Sequence, residues 1–426
     1  MQRAEILKNT LKRMKAVDAP NQVLGRSQTI GCVAVEITQR CNLDCTLCYL
    51  SEHSQSVKDM PIDEVYRRLD EVVKHFGKGV SVQITGGDPT LRKHTELVKI
   101  VAYTANIGLY PALFTNGIAA TRSLLKQLVD VGLRDVAFHV DSTQQRKGYS
   151  TEVQLNQLRA EYVERARGLG LMVIFNTTIH TDNIYELPEI VKFLRANADV
   201  VGLASFNLQA DTGRGVMGSR EVVVSHENVK NTIEAVAGRA LPWDAVRVGH
   251  GECHSYLPTL VVNNTIFPVV EDKQLVADFL REFSGLSNQQ FKSRRALVAA
   301  GIKAVLLKPA YWLRVLGYLS YQVKTMGRHL IIGKGNVHKL TFFVQNFMDA
   351  ENLKQDRVHA CSFMVMTAEG PVSMCEHNAH RDDYILKPLE VVNSAGVVEV
   401  YNPLAGKAPK IDRTNNTNLI HSVEIA

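Results

Sequence analysis

Three cysteines fall within eight residues, in the run Cys41-Asn-Leu-Asp-Cys45-Thr-Leu-Cys48. A C-x3-C-x2-C spacing in a chain without a disulfide framework points to metal or catalytic chemistry before it points to a bridge. Three close thiolates can hold three irons of an iron–sulfur cluster and leave a fourth iron open. A structural zinc site usually takes four protein ligands, and this run offers three cysteines with no adjacent histidine. The chain has 7 cysteines in 426 residues, too sparse for a disulfide scaffold. Cys32 lies inside an apolar run and reads as a buried small hydrophobe.

A second candidate is Thr85-Gly86-Gly87-Asp88-Pro89-Thr90. Glycines at a strand end let backbone carbonyls approach a ligand closely, and Asp88 can face an ammonium group. Further polar residues mark the ends of later apolar runs: Asn116 in FTNG, and Asp141 and Ser142 in HVDST. Asn176 and the stretch Leu203 to Ser205 lie on the two runs after these. His139 and the other scattered histidines read as structural.

The elements that must position these residues alternate. GCVAVEIT (31–38) reads as a strand and PIDEVYRRLDEVVKHF (61–76) as a helix, with Asp and Glu in its first turn. VSVQIT (80–85), LYPALFT (109–115), RDVAFHV (134–140), LMVIFNTTI (171–179) and VVGLASFNL (200–208) read as further strands, with helical periodicity between them. Apolar runs without clean alternation suit parallel strands buried on both faces. Right-handed crossovers then give an α/β fold, a doubly wound sheet or a whole or partial barrel, with its ligand site at the carboxyl ends of the strands. The cysteine run sits in the loop after the first strand.

In this context the sequence resembles the radical S-adenosylmethionine (SAM) superfamily over roughly residues 30–210. The resemblance implies a partial (β/α)6 barrel with a C-terminal α+β extension. It also implies a [4Fe–4S] cluster on Cys41, Cys45 and Cys48, whose open iron is chelated by SAM. An electron from the reduced cluster cleaves the sulfonium in that family, and a 5′-deoxyadenosyl radical abstracts a substrate hydrogen. The implied SAM contacts are Gly86, Gly87, Asp88, Asn116, Asp141, Ser142, Asn176 and Leu203. The residue before the third cysteine is usually aromatic in the family; here Leu47 stands there, with Tyr49 beyond Cys48. An external electron donor of the flavodoxin or ferredoxin type is expected.

Residues 211–426 lose the alternation, and 1–29 read as an N-terminal helix and loop. A hairpin, CSFMVMT-AEG-PVSMC, is expected near residues 361–375, with Cys361 opposite Cys375. With Cys253 these two could ligate an auxiliary cluster. The motifs GHGECHSYLPTL and DRVHACSFMVMTAEGPVSMCEHN look similar to a branch containing tetraether lipid synthase and archaeal pterin-methylating enzymes. The synthase's rubredoxin-like cysteine pairs are absent.

Composition is that of a globular protein, with 45% hydrophobic and 22% charged residues, and it excludes a mainly disordered or fibrous chain. No uninterrupted apolar run is long enough to span a bilayer. The N-terminus lacks a signal peptide's apolar stretch, so a cytosolic location is expected. The net charge is +6, but residues 291–347 hold ten Lys or Arg and no Asp or Glu, so the remainder carries −4. Apolar runs in that segment alternate with single basic residues beside Tyr311, Trp312, Tyr318 and Tyr321. This predicts interfacial helices, divided at Pro309, that seat the chain at the inner face of a membrane. The expected reaction is C–H activation on a lipid acyl chain, with a soluble pterin-like heterocycle or a peptide as the second substrate reading. Nucleic acid is not expected.

Overall fold

The computed structural model describes residues 3–215, 223–283, 294–393 and 395–405. Six strands lie in the first half: β1 (Cys32–Thr38), β2 (Ser81–Gly86), β3 (Tyr110–Thr115), β4 (Asp135–His139), β5 (Met172–Ile179) and β6 (Val201–Leu208). They pair in chain order, all parallel. The crossovers run through α2 (Ile62–Phe76), α3 (His94–Asn106), α4 (Arg122–Asp130), α5 (Glu152–Ala166) and α6 (Leu187–Ala196), after an N-terminal α1 (Arg3–Arg13). All residues of β1 are buried, as a parallel strand covered on both faces requires. Val65, Leu69, Val72 and Phe76 put one stripe of α2 into the same core as Val33, Val35 and Ile37. Thr121 and Thr151 cap α4 and α5 by accepting from Leu124 N and Gln154 N.

The second half extends this sheet. After α7 (His226–Ala237) come β7 (His254–Val262), β8 (Thr265–Pro268), α8 (Lys273–Phe283), α9 (Arg294–Leu306), α10 (Trp312–Ile332) and β9 (Val337–Asn346). Then follow α11 (Gln355–His359), β10 (Phe363–Thr367), β11 (Gly370–Ser373), α12 (Met374–Ala379) and α13 (Arg381–Ile385), with β12 (Leu389–Val392) and β13 (Val398–Tyr401) as a separate hairpin. Strand β9 joins β6 in parallel and β10 joins β1 in parallel. The sheet order is β11-β10-β1-β2-β3-β4-β5-β6-β9-β7-β8, an open, mainly parallel α/β array of partial-barrel type. Residues 337–346 of the basic segment are thus a sheet strand and not part of an amphipathic helix.

The hairpin near 361–375 forms, but its register differs by one residue from the expected symmetry. Met364 pairs with Ser373 and Thr367 with Gly370 across a two-residue turn at Ala368 and Glu369. Cys361 therefore precedes β10, and Cys375 lies in the first turn of α12, so the two are not cross-strand partners.

Candidate active site

The carboxyl ends of the first strands face a cavity of about 240 Å³. Its wall includes Cys41, Cys45, Leu47, Cys48 and Tyr49 from the loop after β1, and Gly86 and Gly87 after β2. Asn116 from the end of β3 and Asn176 on β5 complete the expected contacts that reach it.

The cysteine loop is held by its neighbours. Tyr49 donates its hydroxyl to the Gly86 carbonyl at 2.6 Å. Asn116 Nδ2 donates to Asn42 Oδ1 at 2.6 Å and lies 3.8 Å from Cys41 Sγ. The glycine pair is fixed by space. A Cβ on Gly86, whose φ is +131°, would stand 1.8 Å from the Thr38 carbonyl oxygen, and one on Gly87 2.1 Å from that of Arg40. A bulge between Glu36 and Thr38 shifts the β1–β2 register and brings Gly86 beside Thr38.

A residue the sequence reading missed closes the loop from above β6. Arg214 N donates to Leu50 O at 2.8 Å and Gly215 N to Cys48 O at 2.9 Å, so Asp211–Gly215 runs along the cysteine loop. A Cβ on Gly215 would fall 1.8 Å from Cys48 N. The Arg214 guanidinium lies 3.2 Å from Asp44, and its Nε is buried without a partner. Burial works against its charge, but the Cys48 sulfur and Asp44 outweigh it and raise its pKa. The signal available in sequence was a Gly-Arg-Gly triplet just past the sixth strand.

Two expected contacts are hydrogen-bonded within the chain. Asp88 is fully buried and is used within the chain: it accepts from Thr90 N at 3.0 Å, Thr115 Oγ1 at 2.8 Å and Asn116 N at 2.9 Å. Asp141 is equally buried and accepts from Thr143 N at 3.1 Å and Thr178 N at 2.8 Å. Neither carboxylate lines the cavity, because backbone donors at adjoining strand ends claim their oxygens first. Ser142 donates its N–H to Glu152 at 2.7 Å, and neither it nor Leu203 is in the wall. His139, read as structural from sequence, does line the cavity. Its Nε2 is 2.7 Å from Asp141 Oδ2. Burial disfavours the imidazolium, yet the Asp141 carboxylate outweighs it and raises the pKa above the usual value. His139 ends β4 and Asp141 caps the turn that follows, so their proximity in sequence is the signal that links them.

The C-terminal elements supply the opposite wall through Gln345, Phe347, Phe363, Met374 and Asn378. Beneath them Arg381 binds Glu36, itself a lining residue, at 2.7 Å and stacks 4.7 Å over the Tyr49 ring.

Cys253, Cys361 and Cys375 are all buried, each with its own neighbour. Cys253 Sγ accepts from Arg357 Nε at 3.1 Å, Cys361 Sγ donates to Phe363 O at 2.8 Å, and Cys375 Sγ lies 3.4 Å from Met348 N. Burial foremost pushes Cys253 up to about 11 and Cys375 up to about 12, and the neighbouring Cys361 raises both.

The radical SAM superfamily profile matches residues 35–194, the stretch that carries β1 to α6 and the cysteine loop. The chain carries a radical SAM domain. PqqA peptide cyclase of Bradyrhizobium diazoefficiens is 32% identical over 165 residues, 38% of this chain and 42% of that protein. The 7,8-dihydro-6-hydroxymethylpterin dimethyltransferase of Methanocaldococcus jannaschii is 27% identical over 187 residues, 42% of this chain and 36% of that protein. The chain therefore spans less than half the length of these two relatives. Among solved structures, Streptococcus suis SuiB bound to precursor peptide SuiA aligns with a TM-score of 0.39 and 16% identity, over 54% of this chain and 48% of that one.

The cofactors of a radical SAM domain are a [4Fe–4S] cluster and SAM, and the residues here suit both. Cys41, Cys45 and Cys48 lie within electrostatic reach of one another: burial first, then Asp141 and the two other thiols, raises Cys45 well above the ordinary thiol value. Among the described residues no three side chains converge as for a single metal ion. A cluster instead takes one thiolate per iron and ionises thiols that resist ionisation alone. Beside them, the two glycines give the room that a ligand close to the backbone needs.

Proposed function

We propose that this protein is a radical SAM enzyme that activates a C–H bond of an amide-bearing substrate, a peptide or a pterin-like heterocycle. The cysteines would hold three irons, with SAM between them and the glycine pair. Once bound, these cofactors supply a 5′-deoxyadenosyl radical able to take a hydrogen atom from carbon.

The chain's own residues do the positioning. Gly86 and Gly87 keep their backbone open toward the cavity, while Tyr49, pinned to Gly86 O and covered by Arg381, fixes the far side of the loop. His139, held by Asp141, presents an imidazole edge to a polar group of the ligand. The apolar part of the wall, including Phe114, Ala137, Leu208 and Phe363, keeps bulk water out of the cavity and so strengthens the polar contacts made there.

The observation that carries the substrate class is the set of carboxamides in the wall. Gln83, Asn116, Gln144, Asn176, Asn207, Gln345 and Asn378 all line the cavity. Gln345 Nε2 donates to Ser205 Oγ at 2.6 Å, which leaves its buried Oε1 without a partner. Several of these amides have partners within the chain. An acyl chain would still leave Gln345 Oε1 unpaired at a cost, whereas an amide N–H of a peptide or a pterin ring would match it. The similarity to a peptide cyclase and a pterin dimethyltransferase supports this reading over the lipid acyl chain expected from sequence.

Anaerobically reconstituted protein with dithionite and SAM should form 5′-deoxyadenosine, and Cys45→Ala should not. Peptide, pterin and lipid fractions of a cell extract are then added separately. Stimulation by the peptide or pterin fraction is expected. Stimulation by the lipid fraction alone would overturn the substrate class.

A further inference from the structure

We propose that α9 and α10 form a docking surface for an anionic lipid bilayer. A short turn at Pro309–Tyr311 separates the two helices. Helix α10 touches the body of the protein with one stripe only. Tyr318 and Gln322 both donate to Val269 O, at 2.6 and 3.1 Å, and Met326 packs against Val262 and Phe267. Arg314 pairs with Asp278, Tyr321 with Glu271, and Lys308 reaches Glu282 at 2.9 Å. These contacts moor the helices to α8 and to the strand β8 that precedes it.

The rest of α10 faces outward and is divided in two. Leu313, Leu316, Leu319, Val323 and Ile331 recur at helical spacing on the outer side, and all are exposed. Leu313 is 83% and Ile331 82% exposed, values that leave almost nothing of either side chain buried. Beside them runs a second stripe at the same spacing, in which Lys324 and Arg328 are exposed while Arg314 and Tyr321 are tied to Asp278 and Glu271. Lys324 and Arg328 have no ion-pair partner among the described residues. Helix α9 adds exposed Ile302 and Leu306 next to Lys303, and Leu307 follows at 72% exposure. Phe291 to Ser293 and the side chains of residues 294–298 lie outside the described residues.

An ordinary surface helix turns its apolar stripe inward, and this one turns a second apolar stripe outward. Clustered exposed apolar residues of this kind mark an interaction surface. Charge decides the occupant. With seven Lys or Arg and no Asp or Glu in 294–332, a symmetric contact with a second copy would set like charges against each other. A nucleic acid would satisfy the basic stripe but leave the leucines in water. An anionic bilayer satisfies both, because acyl boundary and headgroup layer lie side by side. No helix among the described residues is long and apolar enough to cross a membrane, so the helices would lie in the interface plane. This surface is separate from the catalytic cavity and does not depend on the substrate class proposed above.

The test is co-flotation of the full chain with vesicles, phosphatidylcholine alone or with about a third phosphatidylglycerol. Binding to the anionic vesicles, weakening as salt rises, is expected. Leu313→Glu/Leu316→Glu and Lys324→Glu/Arg328→Glu should each reduce it about tenfold or more, with circular dichroism and 5′-deoxyadenosine formation unchanged. Equal binding to neutral vesicles, no binding, displacement by added oligonucleotide, or a concentration-dependent dimer broken by Leu316→Glu would overturn the proposal.

Discussion

Arg381 and Glu36 are joined at 2.7 Å although 345 positions separate them. Glu36 is on β1 and Arg381 on α13, so this pair ties the C-terminal elements to the first strand at the edge of the cavity. Burial alone would raise the Glu36 pKa, but Arg381 and the Gln39 amide hold it at about 2. Arg381→Met would leave that carboxylate buried and unpaired. A loss of roughly 3–5 kcal/mol is expected in urea unfolding, and Glu36→Gln in the same chain should recover much of it. Additive losses would show that the pair is not coupled.

The same region makes stability depend on pH. Burial depresses His377 to about 4, His226 to about 4 and His254 to about 3. Unfolded histidine titrates near ~6.5, so below that value the unfolded chain binds more protons than the folded one, and stability falls as pH falls. Glu36 adds a second limb, lost between an unfolded value of ~4.3 and its folded value of about 2. Unfolding free energy should drop by roughly 1–3 kcal/mol per buried histidine from pH 7 to 4. His377→Gln should flatten that slope, and an unchanged slope would exclude His377 as a contributor.

Gly215 and Arg214 can be tested through cofactor loading. Gly215→Ala drives a methyl into the backbone at Cys48, whereas Gly301→Ala meets nothing within 4 Å. Iron content after anaerobic reconstitution should fall at least about threefold for Gly215→Ala and stay at the parent level for Gly301→Ala, read by colorimetric iron assay. Arg214→Gln should show an intermediate loss.

These residues show what sequence could and could not convey. Cys41, Cys45, Cys48, Gly86 and Gly87 were legible because the chemistry and the spacing are local. Asp88 and Asp141 were legible as strand-end carboxylates, but nothing in a linear sequence shows that Asn116 N and Thr178 N on neighbouring strands donate to them. Arg214, His139 and Arg381 act through contacts made only when the sheet assembles. The parallel strands β9 and β10 were missed as extensions of the barrel because their order in the sheet departs from their order in the chain.

His139 and Asp88 should separate binding from folding. SAM affinity, measured by titration calorimetry on reconstituted protein, is expected to weaken about tenfold for His139→Gln with the melting temperature retained. Asp88→Ala should instead destabilise the chain by roughly 2–4 kcal/mol, because Thr90, Thr115 and Asn116 lose a shared buried acceptor. A stable Asp88→Ala protein that fails to bind SAM would return Asp88 to the ligand.

The auxiliary cysteines come down to an iron count. Cys253 precedes β7, Cys361 precedes β10 and Cys375 lies in the first turn of α12. Strands β7 and β10 are near opposite ends of the sheet order, but their starts meet where Ser362 Oγ lies 2.6 Å from His254 Nε2. Arg357 donates to Cys253 Sγ and Met348 N to Cys375 Sγ, and the Cys361 thiol raises the pKa of both other cysteines after burial has done so. If they ligate a second cluster, reconstituted protein should carry about eight irons per chain, and Cys375→Ser should reduce this to about four while 5′-deoxyadenosine formation from SAM continues. About four irons in the parent, unchanged by Cys375→Ser, would leave them as buried thiols held by Arg357, Phe363 O and Met348 N.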